Sequence, residues 1–211
     1  MFKLTQGWIG VLLVSLAGSV SAMESDEIQC LSASRSGLVD LPFPVDAEPL
    51  VSVTERLVIP LPVDEAYDRF KLFPLTQFMT GTEDLAGVAR THPLVGQDYL
   101  NTGERRAVCL KNGFGAVEEL VDATPPGRFA YRVWAYNVPE AQGIEYADGE
   151  FLFKPVEQGT EITWNYSFSL KTDRFPGSFG AFGRWLFSKT FLESTWRGYM
   201  QLALHNFESS L

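Results

Sequence analysis

Residues 162–170 alternate strictly between large apolar and small polar side chains. The even positions carry Ile, Trp, Tyr, Phe and Leu, whereas the odd positions between them carry Thr, Asn and Ser. A period of two is typical of a β-strand with one face buried. Because that face carries such large side chains, it needs a partner surface of similar size, and this requirement constrains the fold more than any other feature of the sequence.

The partner is predicted to be a long helix that begins after the break at residues 175–177, which read Phe-Pro-Gly, and runs from about Ser178 to Phe207. If the strand face and this helix meet loosely, a cavity is left between them. Aromatic stripes more often form a filled core, so both alternatives stay open at this point. The large apolar residues at helical spacing are Phe182, Trp185, Leu186, Leu192, Trp196, Tyr199, Met200 and Phe207.

The preceding residues predict a strand, two short helices and a meander of strands. The first strand is expected within 51–59, closed by Pro60, with a helix capped by Asp64 and a shorter helical piece from Pro74 to Thr80. The overall prediction is an α+β fold, in which a curved antiparallel sheet of six to seven strands wraps around the long C-terminal helix and the two short helices close the mouth. The later strands are predicted at 88–91, 98–110, 115–122, 129–136, 150–155 and 161–170.

The first residues resemble a secretory signal peptide. Lys3 supplies a positive end, residues 8–17 an apolar core, and residues 20–22 a small-residue cleavage site. The apolar run is shorter than the ~20 residues that a membrane-spanning helix needs. We therefore expect an exported protein, periplasmic or secreted, with no stable membrane span after cleavage. Residues 23–49 are interpreted as a leader and residues 50–211 as one domain.

The charge of the chain excludes several kinds of partner. The formal net charge is −9, and it becomes −10 when the signal peptide, which holds Lys3 and no acidic residue, is removed. Nucleic acids and anionic surfaces select for clusters of Lys and Arg. We therefore expect neither a nucleic acid nor an anionic membrane surface as a partner, and the sequence does not identify a protein partner.

Two cysteines, Cys30 and Cys109, would enter an oxidising compartment together. One disulfide would then tie the leader to the domain. Two separate reduced thiols, with Cys109 packed as a small apolar residue, are the alternative. The spacing alone leaves both open.

The usual signatures of metal and nucleophilic chemistry are missing from the sequence. The only histidines, His92 and His205, are not spaced as metal ligands, and no Cys–His pair or Gly-x-Ser-x-Gly sequence occurs. We therefore expect neither a metal nor a cofactor.

Glu118 and Arg106 are the strongest candidates for a polar site. Glu118 shares the alternation of Ala116, and Arg106 lies on the preceding strand. If that face lines a cavity, the two side chains would pair and orient a hydroxyl, carbonyl or carboxylate of a ligand. The alternative is that Val117 and Val121 face inward and leave Glu118 in water.

Three short sequences in this order carry a family resemblance: GERRAV at 103–108, GAVEEL at 115–120 and GTEITW at 159–164. They resemble the START-like, polyketide-cyclase-like (SRPBCC) superfamily with the helix-grip fold, over roughly residues 50–211. The resemblance implies an apolar or amphipathic ligand in the cavity between sheet and helix. It also implies that Glu118 contacts that ligand, that Arg106 is an inward basic residue, and that Tyr146 belongs to the pocket.

Three functions remain open. The first is binding of a hydrophobic small molecule or lipid, oriented by Arg106, Glu118 and Tyr146. The second is a cyclase or dehydratase in which Glu118 acts as acid or base and Arg106 polarises a carbonyl. The third is a non-catalytic interaction domain that uses the acidic leader. The expected wall residues are Trp134, Trp164, Tyr166, Phe168, Trp196, Tyr199 and Met200, although both faces of the strand that holds Trp134 are aromatic.

Overall fold

A computed structural model describes Cys30 and residues 49–211. The predicted signal peptide and, apart from Cys30 and Pro49, the predicted leader lie outside these residues. The described strands form one antiparallel sheet. They are β1 (Val51–Ile59), β2 (Val88–Val95), β3 (Arg105–Leu110), β4 (Gly115–Asp122), β5 (Arg128–Trp134), β6 (Ile144–Val156) and β7 (Gly159–Leu170). The strand order across the sheet is β1-β7-β6-β5-β4-β3-β2.

Two short helices follow β1, and one long composite helix ends the chain. The short helices are α1 (Val63–Leu72) and α2 (Leu75–Phe78). The terminal helix consists of α3 (Gly180–Phe187), a π-helical segment (Ser188–Trp196) and α4 (Arg197–Glu208). Single 3-10 turns lie at Pro139–Ala141 and Gly177–Phe179. The predicted α+β helix-grip fold is confirmed.

The alternation of β7 appears directly in its burial. Ile162, Trp164, Tyr166 and Phe168 are buried against the terminal helix and the short helices. The polar residues between them lie on the outer face, where Asn165 accepts a hydrogen bond from Thr54 of β1 over 2.8 Å. The strand is therefore buried on one face, as the sequence predicts.

Several boundaries differ from the prediction; strand β2, for example, runs to Val95 instead of ending at residue 91. Helix α1 is preceded by Pro62, so Asp64 lies in the first turn, where a carboxylate still favours the helix dipole. Strand β6 begins at Ile144 instead of residue 150. The predicted strand at 98–110 begins only at Arg105.

Residues 98–104 form a loop because Glu104 closes it. One carboxylate oxygen of Glu104 accepts hydrogen bonds from the backbone N–H groups of Leu100, over 2.7 Å, and Asn101, over 3.2 Å. These contacts turn the chain inward at Tyr99, which has a positive φ of 55° and packs in the core. Tyr99 therefore packs in the hydrophobic core, and the segment that holds it does not extend β3.

A disulfide joins Cys30 to Cys109 of β3, with a Cα–Cα distance of 5.5 Å. Gly115 of β4 lies opposite Cys109. A Cβ atom at position 115 would lie 2.8 Å from the Cys30 sulfur and 2.5 Å from the carbonyl oxygen of Val108. The glycine therefore makes the space in which Cys30 reaches the sheet.

Candidate functional site

A cavity of about 410 Å³ lies between the concave face of the sheet and the terminal helix. Its volume falls in the ~300–1,000 Å³ range of small-molecule pockets. The walls are mostly apolar, and the sheet contributes inward-facing residues of β2 to β7. The lining includes Arg106, Glu118, Tyr131, Val133, Tyr136, Tyr166, Phe168, Phe191, Trp196 and Tyr199.

The π-helical segment builds the helix side of the cavity. In an α-helix, residues five apart point about 140° away from each other, whereas the i→i+5 hydrogen bonds of a π-helix stack them. Phe191 and Trp196 are five apart, and both line the cavity. The ring of Trp196 lies 4.7 Å from that of Tyr166 and 5.4 Å from that of Phe168. The π-helical segment therefore aligns both aromatic rings with the aromatic face of β7.

Gly149 makes room for Tyr131 on the sheet side. The two residues lie opposite each other in the β5–β6 register, and Gly149 also lies opposite Tyr166 of β7. A Cβ atom at position 149 would lie 2.1 Å from Cζ of Tyr131. Because Gly149 has no side chain, the Tyr131 ring leans across β6 towards Tyr166, at a centroid distance of 6.3 Å.

Tyr136 reaches the cavity through a break in the alternation of β5. Trp134 points to the outer face, and Ala135 then adopts a positive φ of 54°. As a result Tyr136 packs with the inner core and lines the cavity. Its Oη atom is buried close to the hydroxyl of Tyr166, with which it interacts without forming a hydrogen bond of regular geometry.

The cavity tyrosines are neutral hydrogen-bonding groups. Burial raises the pKa values of Tyr131, Tyr136, Tyr166 and Tyr199 above the ordinary value of 10.0. The hydroxyl of Tyr199 donates a hydrogen bond to the carbonyl oxygen of Ala86 over 3.1 Å. A protonated phenol can donate to an oxygen of a bound molecule, so these residues provide polar contacts without charge.

The charged part of the site is one ion pair. The Nε atom of Arg106 donates to Oε2 of Glu118 over 2.7 Å, and the two residues lie opposite each other on β3 and β4. The structure thus selects the inward alternative for Glu118, which is only 4% exposed. Although burial opposes the charged form, the Glu118 carboxylate holds the pKa of Arg106 above its ordinary value.

Tyr99 covers this ion pair. The Arg106 guanidinium carbon lies 3.7 Å from the centroid of the Tyr99 ring, a cation–π contact. Burial and the nearby Glu118 carboxylate raise the pKa of Tyr99 well above its ordinary value. A second cavity, of about 420 Å³, lies beyond Tyr99, and Arg106 and Phe129 line both cavities. Arg106 therefore stands at the boundary between two hollow regions.

Exposed polar residues surround the mouth of the 410 Å³ cavity. Asp84 precedes β2, Asn112 lies in the β3–β4 turn and Glu140 lies in the first 3-10 turn. The interior thus changes from apolar walls to a polar rim, an arrangement typical of a site that takes a molecule from water.

Not all of the predicted wall residues lie at the cavity. The cavity contains six of the predicted site residues, namely Arg106, Glu118, Tyr166, Phe168, Trp196 and Tyr199. Trp164 and Met200 are fully buried in the core, where Trp164 stacks on Phe151 at 4.7 Å, so the expectation that they line the cavity is wrong. Fewer residues line the cavity than predicted because Phe78 of the short helix α2 covers Trp164, at a distance of 5.4 Å between the ring centroids.

Trp134 and Tyr146 lie on the opposite face of the sheet, so their predicted place in the pocket is also wrong. They are directly opposite each other in the β5–β6 register and pack with Val117 in a separate outer cluster. The Arg132 guanidinium carbon lies 4.3 Å from the Tyr146 ring centroid. The outer face is buried here, which explains why both faces of β5 are aromatic.

Several cavity residues were not predicted. Tyr131 and Val133 lie on the same face of β5. Because Val133 lies opposite Glu118 in the β4–β5 register, a prediction that Glu118 faces inward also predicts that these two residues do. Nothing in the sequence indicates the turn at Ala135 that brings Tyr136 inward. Among Cys30 and residues 49–211, no group of three or more His, Cys, Asp or Glu side chains is placed to hold a metal ion.

Comparison with known proteins gives a family and a fold. The sequence model of the family described as polyketide cyclase / dehydrase and lipid transport matches residues 51–211. Comparison with curated protein sequences gives no match.

Among solved structures, the fold is similar to that of the di-domain ARO/CYC StfQ from the steffimycin biosynthetic pathway. The TM-score is 0.54 and the identity 15%, over 76% of this chain and 50% of StfQ. The di-domain ARO/CYC BexL from the BE-7585A biosynthetic pathway gives a TM-score of 0.51 at 21% identity, over 92% of this chain and 60% of BexL. A protein from Rhodobacter sphaeroides gives 0.51 at 13% identity, over 78% of this chain and 93% of its own. This chain thus spans about half the length of StfQ.

Proposed function

Because this chain belongs to the polyketide cyclase / dehydrase and lipid transport family, we propose that it binds one apolar or amphipathic small molecule, such as a lipid, in its 410 Å³ cavity. The observation that carries the proposal is the aromatic wall formed by Tyr166, Phe168 and Trp196 around open space. Burial of apolar surface contributes about 25 cal/mol per Å², so such a wall gives useful affinity without many polar contacts.

The polar groups of the cavity define the ligand further. The neutral phenol hydroxyls of Tyr131, Tyr136 and Tyr166 favour a molecule with a few oxygen atoms. The charges of Arg106 and Glu118 already neutralise each other. The ligand is therefore expected to be uncharged where it lies in the cavity, for example a ring system or an acyl chain with hydroxyl or carbonyl groups.

We further propose that the protein works after export. The signal-like sequence of residues 1–22 supports this, and so does the disulfide, because disulfides persist mainly in oxidising compartments. A carrier in the periplasm or outside the cell would shield an apolar molecule from water.

The direct test is extraction of the purified mature protein with organic solvent, followed by mass spectrometry. Val133→Phe fills the cavity from β5, whereas Val58→Phe adds the same side chain at an exposed site on β1. We expect a stoichiometric compound from the wild type and from Val58→Phe, and much less from Val133→Phe. Recovery of the same compound in equal amount from all three proteins would contradict the proposal.

The buried ion pair favours a second candidate, a cyclase or dehydratase. Glu118 is the carboxylate nearest to the cavity interior, and Arg106 would polarise a carbonyl group beside it. Glu118→Gln keeps an oxygen acceptor for Arg106. If the protein is an enzyme, the wild type converts the compound, whereas the variant takes it up without converting it. If the protein is a carrier, neither the wild type nor the variant converts the compound.

A further inference from the structure

Four aromatic side chains stand in solvent where β7 leads into the terminal helix. Phe175, Phe179, Phe182 and Trp185 are 60%, 62%, 61% and 55% exposed, and we call them the aromatic ridge. They form two ring pairs, Phe175 with Phe179 and Phe182 with Trp185, each at a centroid distance of 5.8 Å. Large clustered apolar groups on a surface mark an interaction site, whereas single exposed apolar residues do not.

The ridge is built on a tightly packed support. A Cβ atom at Gly183 would lie 1.8 Å from the carbonyl oxygen of Pro176, and one at Gly177 would lie 2.3 Å from that of Lys171. Only glycine allows these backbone approaches, which hold the start of α3 against the turn before it. The aromatic side chains are therefore presented by a defined structure.

The charge around the ridge is opposite to that of the whole chain. Residues 171–193 contain the basic residues Lys171, Arg174, Arg184 and Lys189 and the acidic residues Asp173 and Glu193, for a local net charge of +2, and Glu193 pairs with Lys189 over 2.6 Å. The complete chain carries −9. Aromatic side chains flanked by Lys and Arg suit the boundary between the headgroups and acyl chains of an anionic membrane. The rest of this acidic chain has no such attraction to an anionic membrane, so attachment would be confined to this face.

The ridge also adjoins the cavity wall. A Cβ atom at Gly143 would lie 2.4 Å from the carbonyl oxygen of Phe175, and the N–H of Lys171 donates to the carbonyl oxygen of Gly143 over 2.9 Å. On either side of Gly143, Ala141 and Ile144 line the 410 Å³ cavity. A surface held by the ridge would therefore lie beside the wall of the cavity.

We propose that the aromatic ridge docks this protein on phospholipid bilayers that contain anionic headgroups. The four rings enter the interfacial layer, and the basic residues contact the headgroups. This attachment is peripheral; among the described residues, no helix combines the length and apolar character needed to cross a membrane. The proposal is separate from the cavity ligand and does not depend on it.

The test is co-sedimentation of the purified chain with vesicles of phosphatidylcholine, with and without phosphatidylglycerol. We expect binding to the anionic vesicles that weakens as salt is added. Because Phe182→Ser/Trp185→Ser removes two large apolar side chains from the interface, it should weaken binding at least about tenfold. A matched control, Leu72→Ser/Val58→Ser, removes exposed apolar residues elsewhere and should bind like the wild type.

Fluorescence gives a second readout. Trp185 is 55% exposed, whereas Trp134 and Trp164 are buried, so insertion should shift the tryptophan emission to shorter wavelength. Trp185→Phe should keep binding and lose most of the shift. The proposal is overturned if neither vesicle binds the wild type, if the ridge variant binds equally well, or if the ridge mediates only self-association in sedimentation velocity. Dye uptake measured without vesicles reports on the cavity separately.

Discussion

The Nε atom of Arg106 lies 2.7 Å from Oε2 of Glu118, and this buried ion pair lies among the mostly apolar and phenolic side chains of the 410 Å³ cavity. The pair joins facing positions of β3 and β4. Tyr99 covers it from one side. Each side chain thereby stabilises the charge of the other away from solvent.

We predict that removing one partner of this pair is costlier than removing both. Glu118→Leu leaves the Arg106 charge buried and alone, and we expect a loss of about 3–5 kcal/mol in the free energy of unfolding. Arg106→Leu/Glu118→Leu should lose less than the single variant. Urea unfolding measures both values.

The exposed pair of Glu65 and Arg69 on α1 serves as the control, because both side chains are about half exposed. Glu65→Gln should change the unfolding free energy by no more than about 0.5 kcal/mol. If Glu118→Leu cost as little as that, the buried ion pair would not have the role assigned to it.

The second prediction concerns Gly149. Gly149→Ala places a Cβ atom 2.1 Å from the Tyr131 ring, and we expect a loss of about 1–3 kcal/mol from overpacking. Tyr131→Leu in the same chain should restore part of that loss. Thermal and urea unfolding of the two variants provide the measurement.

Gly198→Ala is the matched substitution. A Cβ atom at this helical position in α4 meets no atom within 4 Å. Because alanine is favoured over glycine inside a helix, we expect a gain of roughly 0.5–1 kcal/mol. Effects of the same sign and size at both glycines would argue against the close approach of Tyr131 to β6.

Strand β7 shows what the sequence can and cannot predict about the site. The alternation from Ile162 to Leu170 predicts both the strand and its buried face, and the structure agrees. The same alternation cannot separate Trp164 from Tyr166: both point inward, but Phe78 of α2 covers the first and leaves the second at the cavity. That difference depends on a contact between distant segments, which a strand pattern does not contain.

Strand β5 shows a different limit. Trp134 is as aromatic as Tyr131 but lies on the outer face, and only the pairing with Val117 identifies that face. Tyr136 then returns inward because Ala135 adopts a positive φ. An alanine gives no sign of such a conformation, since Gly and Asn are the residues that usually mark it.

The third prediction is a loss of stability at high pH. Burial raises the pKa of Tyr131, Tyr136 and Tyr166 above 10.0 in the folded protein, so the unfolded chain loses these protons first. Stability is therefore complete below pH 10 and falls as the pH rises above it. Phenolate absorbance should rise at higher pH in the folded protein than in urea. Coincident titrations of the folded and unfolded protein would contradict the burial of these hydroxyls.

The fourth prediction concerns the disulfide between Cys30 and Cys109, whose sequence separation is 79. Cys109→Ser should lower the free energy of unfolding by about 2–5 kcal/mol. Reductant should destabilise the wild type by a similar amount and leave the variant unchanged. Alkylation and mass measurement of the purified native protein should find no free thiol; two alkylated cysteines would show that the bond does not form.

The most direct test of an apolar ligand site in the 410 Å³ cavity is a titration of solvent-extracted, refolded protein with an uncharged solvatochromic dye such as Nile red. The dye fluoresces in apolar surroundings, and its uptake by the cavity should saturate at one molecule per chain. We expect strong, saturable fluorescence for the wild type and Val58→Phe, and little for Val133→Phe. Equal fluorescence from all three proteins, or none from the wild type, would contradict the claim that this cavity binds an apolar molecule.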